Sequence, residues 1–192
     1  MRSRLLVVAA LFAGATGFAR ANDLREMTDE ARKVADALVG MVRGELVKAI
    51  ETSGPLRAVV VCKYTVPEIT SSVSRKTGWK VSRVSLRPRN PALGGPDIWE
   101  QAVLASFDQR QQRGEKAEAL ERAEVVTEPT GRYFRYMKAL PVGQLCLSCH
   151  GGPENLTDAV RAQLASEYPF DRAITYKLGE VRGAVTIKRP LQ

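Results

Sequence analysis

The segment Glu124-Val-Val-Thr-Glu-Pro-Thr-Gly-Arg-Tyr-Phe-Arg-Tyr-Met-Lys-Ala-Leu140 decides the fold class. Two runs rich in β-branched and aromatic residues, Glu124 to Thr127 and Arg132 to Leu140, flank Glu128-Pro-Thr-Gly131, a turn composition that joins strands antiparallel. A second hairpin signal closes the chain, with Ala173 to Leu178 and Val181 to Lys188 around Gly179-Glu180. Upstream, Ala58-Val-Val-Val-Cys-Lys-Tyr64 is a nearly continuous apolar run, predicted as a strand buried on both faces with Cys62 inside it, and Trp79 to Leu86 is a further strand. About six strands, mostly in hairpins with helices inserted between them, make an α+β protein built on an antiparallel sheet.

The helices follow from period and punctuation. Leu24, Met27, Ala31, Val34, Leu38 and Met41 recur at spacings of three and four and continue through Val42, Leu46 and Ile50, a long amphipathic N-terminal helix ended by Ser53-Gly54-Pro55. Thr65-Val-Pro-Glu68 and Asp97-Ile-Trp-Glu100 both have capping-box spacing and predict helices running to Gly78 and to about Gly114. Glu115 to Arg122 adds a helical piece, and after a loop that contains Cys146 and Cys149, Asp158 to Glu167 forms a helix stopped by Tyr168-Pro169.

The 192 residues, 44% apolar and 26% charged, suit one domain with a sizeable core and exclude a disordered chain. Arg2 and Arg4, the apolar stretch Leu5 to Phe18 and Ala19-Arg20-Ala21 read as a cleavable export signal over residues 1–21, leaving a single domain over 22–192 in the periplasm. Losing Arg2, Arg4 and Arg20 lowers the formal charge from +8 to +5. Basic residues are interleaved with acids, so nucleic acid is not an expected partner. The exception is Arg83, Arg87 and Arg89, a cluster suited to an anionic ligand or to a solvated strand end.

Chemistry concentrates in Leu145-Cys146-Leu147-Ser148-Cys149-His150-Gly151, which contains C-x-x-C-H, the attachment signal for c-type haem. Two thiols at this spacing reach two vinyl groups, and the next residue places its imidazole on the iron. The chain has one His, and it occupies the ligand position, a coincidence on the order of 1 in 170 for a randomly placed residue. Zinc would have to recruit Cys62 for a Cys3His site. A thioredoxin-like dithiol opens a helix after a strand, whereas here Gly151-Gly152-Pro153 follows. The expected cofactor is one covalent haem c, with Cys146 and Cys149 as attachment thiols and His150 on the metal. The sixth position is open to Met27, Met41, Met137, Cys62, a Lys, a Tyr, water or no ligand. Cys62, the odd thiol, is equally explained as a small buried hydrophobe.

Cys62, Ser85-Leu-Arg-Pro-Arg-Asn-Pro91, Pro96-Asp-Ile-Trp-Glu100, Arg135-Tyr-Met-Lys-Ala139, the haem motif and Gly183-Ala-Val-Thr-Ile187 together resemble a family of periplasmic single-haem c domains, long catalogued as a domain of unknown function. The resemblance spans nearly the whole mature chain and departs at Val84 and at Ala92-Leu-Gly-Gly95, both outside the ligands. It implies a PAS-like fold with a long N-terminal helix, and it implies His150 and Cys62 as the iron ligands.

Arg87 and Arg89, with Arg83, are candidates for the haem propionates. Trp99, Tyr133, Phe134 and Tyr136 are candidates for packing on the macrocycle, although core packing explains them as well. The function expected is a redox or small-ligand sensor, with an electron carrier as the alternative; without a second His for acid–base work, a haem enzyme ranks last. The partner is a redox or signalling protein, and association with a membrane surface stays open.

Overall fold

In a computed structural model, residues 13–191 are described, with side chains from residue 22 onward. The leader expected over residues 1–21 lies outside the described side chains. Helix α1 (Ala13–Val60) passes through a π-helical segment (Val61–Thr65) into α2 (Val66–Thr77). Then come β1 (Lys80–Val84), the short α3 (Pro91–Gly94), α4 (Ile98–Gln112), β2 (Glu121–Glu128), β3 (Gly131–Pro141), α5 (Gln144–His150), α6 (Asp158–Glu167) and β4 (Val181–Leu191). The four strands form one antiparallel sheet in the order β1-β4-β3-β2. Among the described residues no helix is long and apolar enough to cross a membrane.

Strand alternation distributes the core between two helical layers. Phe134 and Tyr136 of β3, Val185 and Ile187 of β4 and Val81 of β1 pack with Ala31, Ala35, Leu38 and Val42 of α1. The opposite face carries Met137, Ala139, Ala184 and Val84 against Val103, Leu104 and Phe107 of α4. The N-terminal half of α1 is also tied to the sheet by ion pairs, Arg32 to Glu121 and Arg189 to Glu30, with Tyr136 Oη donating to Glu121 (2.8 Å).

The α+β class, the long N-terminal helix and the β2–β3 hairpin agree with the sequence reading. So does α4, whose capping box is complete: Asp97 accepts from Glu100 N (2.9 Å) and Glu100 accepts from Asp97 N (2.8 Å). Three expected elements are corrected. The chain does break at Gly54, which takes φ +76°, but Ala58 to Tyr64 continues as helix and then π-helix rather than strand. Cys62 therefore sits on a helical turn, and Thr65 lies in mid-helix without capping α2. A short apolar run buried from two sides carries no readable period, so its β-branched composition misleads. Glu115 to Arg122 contributes only a 3₁₀ turn at Ala117–Ala119 before β2 begins. Ala173 to Leu178 forms no strand, because its backbone is satisfied elsewhere: Thr175 N donates to Gly151 O and Tyr176 N to His150 O, both at 2.9 Å. Among the described residues the sheet thus has four strands instead of about six.

Candidate functional site

The end of β1 (Val84), the exit of β3 (Pro141) and the entry of β4 (Val181) lie together at one end of the sheet, and β3 leads directly into α5. Cys146, Cys149 and His150 are all on α5. The expected loop is thus a short helix after a strand, which removes one of the arguments against a dithiol and leaves the distinction to the imidazole's bonding. Cys149 packs with Val59 of α1 and with Val160, Leu164 and Tyr168, while Cys146 packs with Val142, Ala173 and Tyr176. The three cysteines are free thiols, each partly buried. Among the described residues no group of three or more His, Cys, Asp or Glu side chains is arranged to hold a bare metal ion, so the Cys3His zinc alternative is not assembled.

His150 Nδ1 lies 2.7 Å from Ala173 O. A carbonyl only accepts, so the proton is on Nδ1 and Nε2 carries the lone pair. Burial, reinforced by the Arg182 and Arg89 cations, holds the imidazole well below its usual range and therefore neutral, a state suited to a metal ligand. Arg182 Nε approaches both ring nitrogens, at 3.3 and 3.5 Å.

Cys62 lies in the same neighbourhood. Burial pushes its thiol up, opposed by Arg83, Arg89 and Arg182. With its proton on, the sulfur is a weak hydrogen-bonding group in a low-dielectric site; three guanidiniums are placed to stabilise it as a thiolate once the proton leaves. The π-helical turn presents it, and π-turns inserted in α-helices occur frequently at functional sites.

The arginines divide into two pairs. Arg87 stacks 3.9 Å over Tyr176 and donates to Ile174 O and Thr175 Oγ1. Arg89, only 8% exposed, pairs with Asp171 (2.9 Å) and donates to the carbonyls of Cys149 and Ala173. Both lie at the site, but their guanidiniums are committed to the loop beside the motif. Arg83 and Arg182, by contrast, have no acidic partner among the described residues, and burial lowers both below the ordinary arginine value.

Arg182 escaped the sequence reading because a bulge aims it. Leu140 pairs with Gly183 and Pro141 with Val181, so Arg182 is the extra residue on β4. Bulges re-aim side chains in this way. Its Nη1 donates to Ser85 Oγ (3.1 Å), and Ser85 Oγ in turn donates to Arg182 O (2.8 Å). Gly183 follows from the same geometry: a Cβ there would fall 2.3 Å from Val84 O.

The aromatics at the site are Tyr168 and Tyr176, neither singled out by sequence. His150 and Tyr176 meet edge to face at 6.3 Å. Trp99 instead stacks on Arg135 (4.4 Å) in the α4 layer, Phe134 and Tyr136 are core, and Tyr133 lies under Lys188 (3.9 Å). Among the methionines, Met137 is buried beside α4, Met27 packs on the α1 layer and Met41 is 43% exposed.

The family model described as Tll0287-like matches residues 20–190. The chain belongs to the Tll0287-like family. The solved structure titled the cyanobacterial heme-protein Tll0287 is 24% identical, with a TM-score of 0.63 over 87% of this chain and 96% of that one, a likeness of fold. No curated protein matches the chain. The family match places Cys62, the arginines and the C-x-x-C-H helix within a single matched region.

Proposed function

We propose that the protein binds one haem c through thioethers at Cys146 and Cys149, with iron held by His150 and Cys62, and acts as an exported redox or small-ligand sensor. The observation that carries this is the His150 Nδ1–H···O Ala173 bond, which fixes the tautomer with its lone pair on Nε2, the usual arrangement of a ligating His. The solved relative, a cyanobacterial heme-protein, supports the same cofactor.

Several features of this chain fit the group. Two thiols follow one another by one helical turn, a third thiol stands near them, and Arg83 and Arg182 are half-buried cations without acid partners among the described residues that suit two propionates. Bound haem supplies an iron whose potential the axial pair sets, and a thiolate favours the ferric state. This chain's part is to hold His150 neutral, to place Cys62 among cations and to line the site with apolar groups. The sensor reading is preferred to a carrier because Cys62 stands on a helical segment that follows the break at Gly54 rather than on a strand bonded at both edges. A carrier keeps the same ligands in both states. With Cys62 proposed as the second residue that would hold the iron, no catalytic activity is proposed.

Expression with cytochrome c maturation proteins, followed by a pyridine haemochrome spectrum and an intact mass, tests attachment. A mass equal to that of the processed chain alone refutes it. Cys62→Ser is expected to change the ferric absorption and EPR spectra without loss of covalent haem; unchanged spectra remove Cys62 from the iron. Dithionite titration then separates sensor from carrier, since a carrier stays low-spin with the same ligands throughout.

A further inference from the structure

The carbonyl that receives the His150 proton does not serve His150 alone. Ala173 O accepts from His150 Nδ1 at 2.7 Å and from Arg89 Nη2 at 3.2 Å. Arg89 also donates from the same nitrogen to Cys149 O, within the haem motif, and from Nε to Asp171 Oδ2 at 2.9 Å. Asp171 closes the circuit, because its other oxygen accepts from Ala173 N at 2.7 Å. Arg89 and Asp171 are 8% and 10% exposed, so the pair is held in a medium where breaking it is costly.

We propose that Arg89 and Asp171 are positioning residues that fix the His150 ring and set its donor strength toward iron through the shared carbonyl of Ala173. The proposal rests on the His150–iron reading above and deepens it. A carbonyl that already accepts a charge-assisted bond accepts less strongly from a second donor. The Nδ1–H bond is thereby weakened, the imidazole acquires less anionic character, and the ferrous state is favoured over what an unshared carbonyl would give. The fork also fixes orientation: one guanidinium binds the loop carboxylate, the motif backbone and the acceptor of the ring, so rotation of the ring relative to the helix that carries it is resisted.

A merely structural arginine, or a cation acting only through space, makes different predictions. Lys keeps the charge but cannot reproduce a fork to three acceptors. The test uses haem-loaded protein and two readouts: the reduction potential, and the iron–His150 stretch in ferrous Cys62→Ser protein. In Arg89→Lys and Arg89→Gln alike, the stretch is expected to rise in frequency and the potential to fall by about 59 mV, a tenfold shift in the one-electron equilibrium. Asp171→Asn keeps an acceptor for Ala173 N but frees Arg89 to donate more strongly, and is expected to move both readouts the other way; it also serves if the Arg89 variants fail to fold. An Arg89→Lys protein matching the native one while Arg89→Gln shifts, or stability losses with both readouts unmoved, overturns the relay. A native chain that carries no haemochrome overturns both this inference and the reading beneath it, whereas attached haem with unmoved readouts overturns the relay alone.

Discussion

Replacing Gly183 by Ala tests whether the end of β4 is as closely fitted to β1 as the site requires. The added Cβ would lie 2.3 Å from Val84 O and 3.1 Å from Ser85 Cβ. An ordinary carbon–oxygen contact is about 3.3–3.6 Å, so the end of β1 has to recede by about 1 Å. That displacement opens the Val84–Ala184 pairing and pulls Ser85 from Arg182, to which it is bonded in both directions. Overpacking of this kind costs roughly 1–3 kcal/mol and a weakened strand bond about 1 kcal/mol more, giving a loss of about 3 kcal/mol. For a domain of this size each kcal/mol moves the melting temperature by about 2–4 °C, so a fall of roughly 6–12 °C is expected. Gly44→Ala is the control: it lies within α1, its Cβ would meet nothing within 4 Å, and it is expected to stabilise by about 0.5–1 kcal/mol. Urea unfolding followed by circular dichroism measures both. A Gly183→Ala midpoint within error of the native one refutes the close approach and, with it, the account of how Arg182 is aimed.

Two further outcomes follow from the charges. Hydrogen bonds from Arg32 hold the Glu121 carboxyl below its ordinary range, and Tyr136 assists; the stability this contributes is present above about pH 4.3 and is lost as pH falls through the depressed folded value. Glu121→Gln is therefore expected to cost about 1–2 kcal/mol at pH 7, discounted for a pair that is about one-third exposed, and nothing near pH 2; urea midpoints at the two pH values check this, and an equal gap at both would refute it. Arg182→Gln removes a cation beside His150, so the haem-loaded variant is expected to have a lower reduction potential in spectroelectrochemical titration, and an unchanged potential would place Arg182 outside the field of the iron.

The parts of the fold that were legible in sequence are those encoded by neighbours. Asp97 and Glu100 cap one another across three residues, and Glu128-Pro-Thr-Gly131 turns the chain between two strands that pair with each other. The parts that were not legible depend on remote partners. Ala173 to Leu178 has strand composition, but its amides go to Gly151 and His150, more than twenty residues upstream. Ala58 to Tyr64 has the residues of a strand yet is helical because Ala58, Val59 and Val61 are buried in a helix packed between the sheet and α6. In the site, the spacing of Cys146, Cys149 and His150 is visible in the sequence, whereas the Ala173 carbonyl that engages His150 is not. Arg182 was not, because only the bulge turns it toward His150. Arg87 and Arg89 were readable as a cluster, but Asp171 and the loop carbonyls that engage them are about 80 residues away.

Placing Cys62 on a helix instead of a strand alters what a change at the site can move. A central strand is bonded on both edges and transmits little displacement. The helical segment from Pro55 to Thr65 is separated from the N-terminal part of α1 by the break at Gly54, where the backbone leaves the helical region and no side chain packs. On the far side of that break α1 is fastened to the sheet by Arg32, Asp36 and Glu30, which pair with Glu121, Lys138 and Arg189. On the near side Ala58 and Val61 belong to the same core as the sheet and the N-terminal part of α1, while Val59 packs with Val160 and Leu164 of α6 and Lys63 pairs with Glu167. A shift of Cys62 relative to α5 is therefore resisted from both sides of the segment, by the main core through Ala58 and Val61 and by α6 through Val59 and Lys63. Cys62 is thus coupled to both α6 and the sheet, the two bodies through which the proposed sensor reading carries a change at the site.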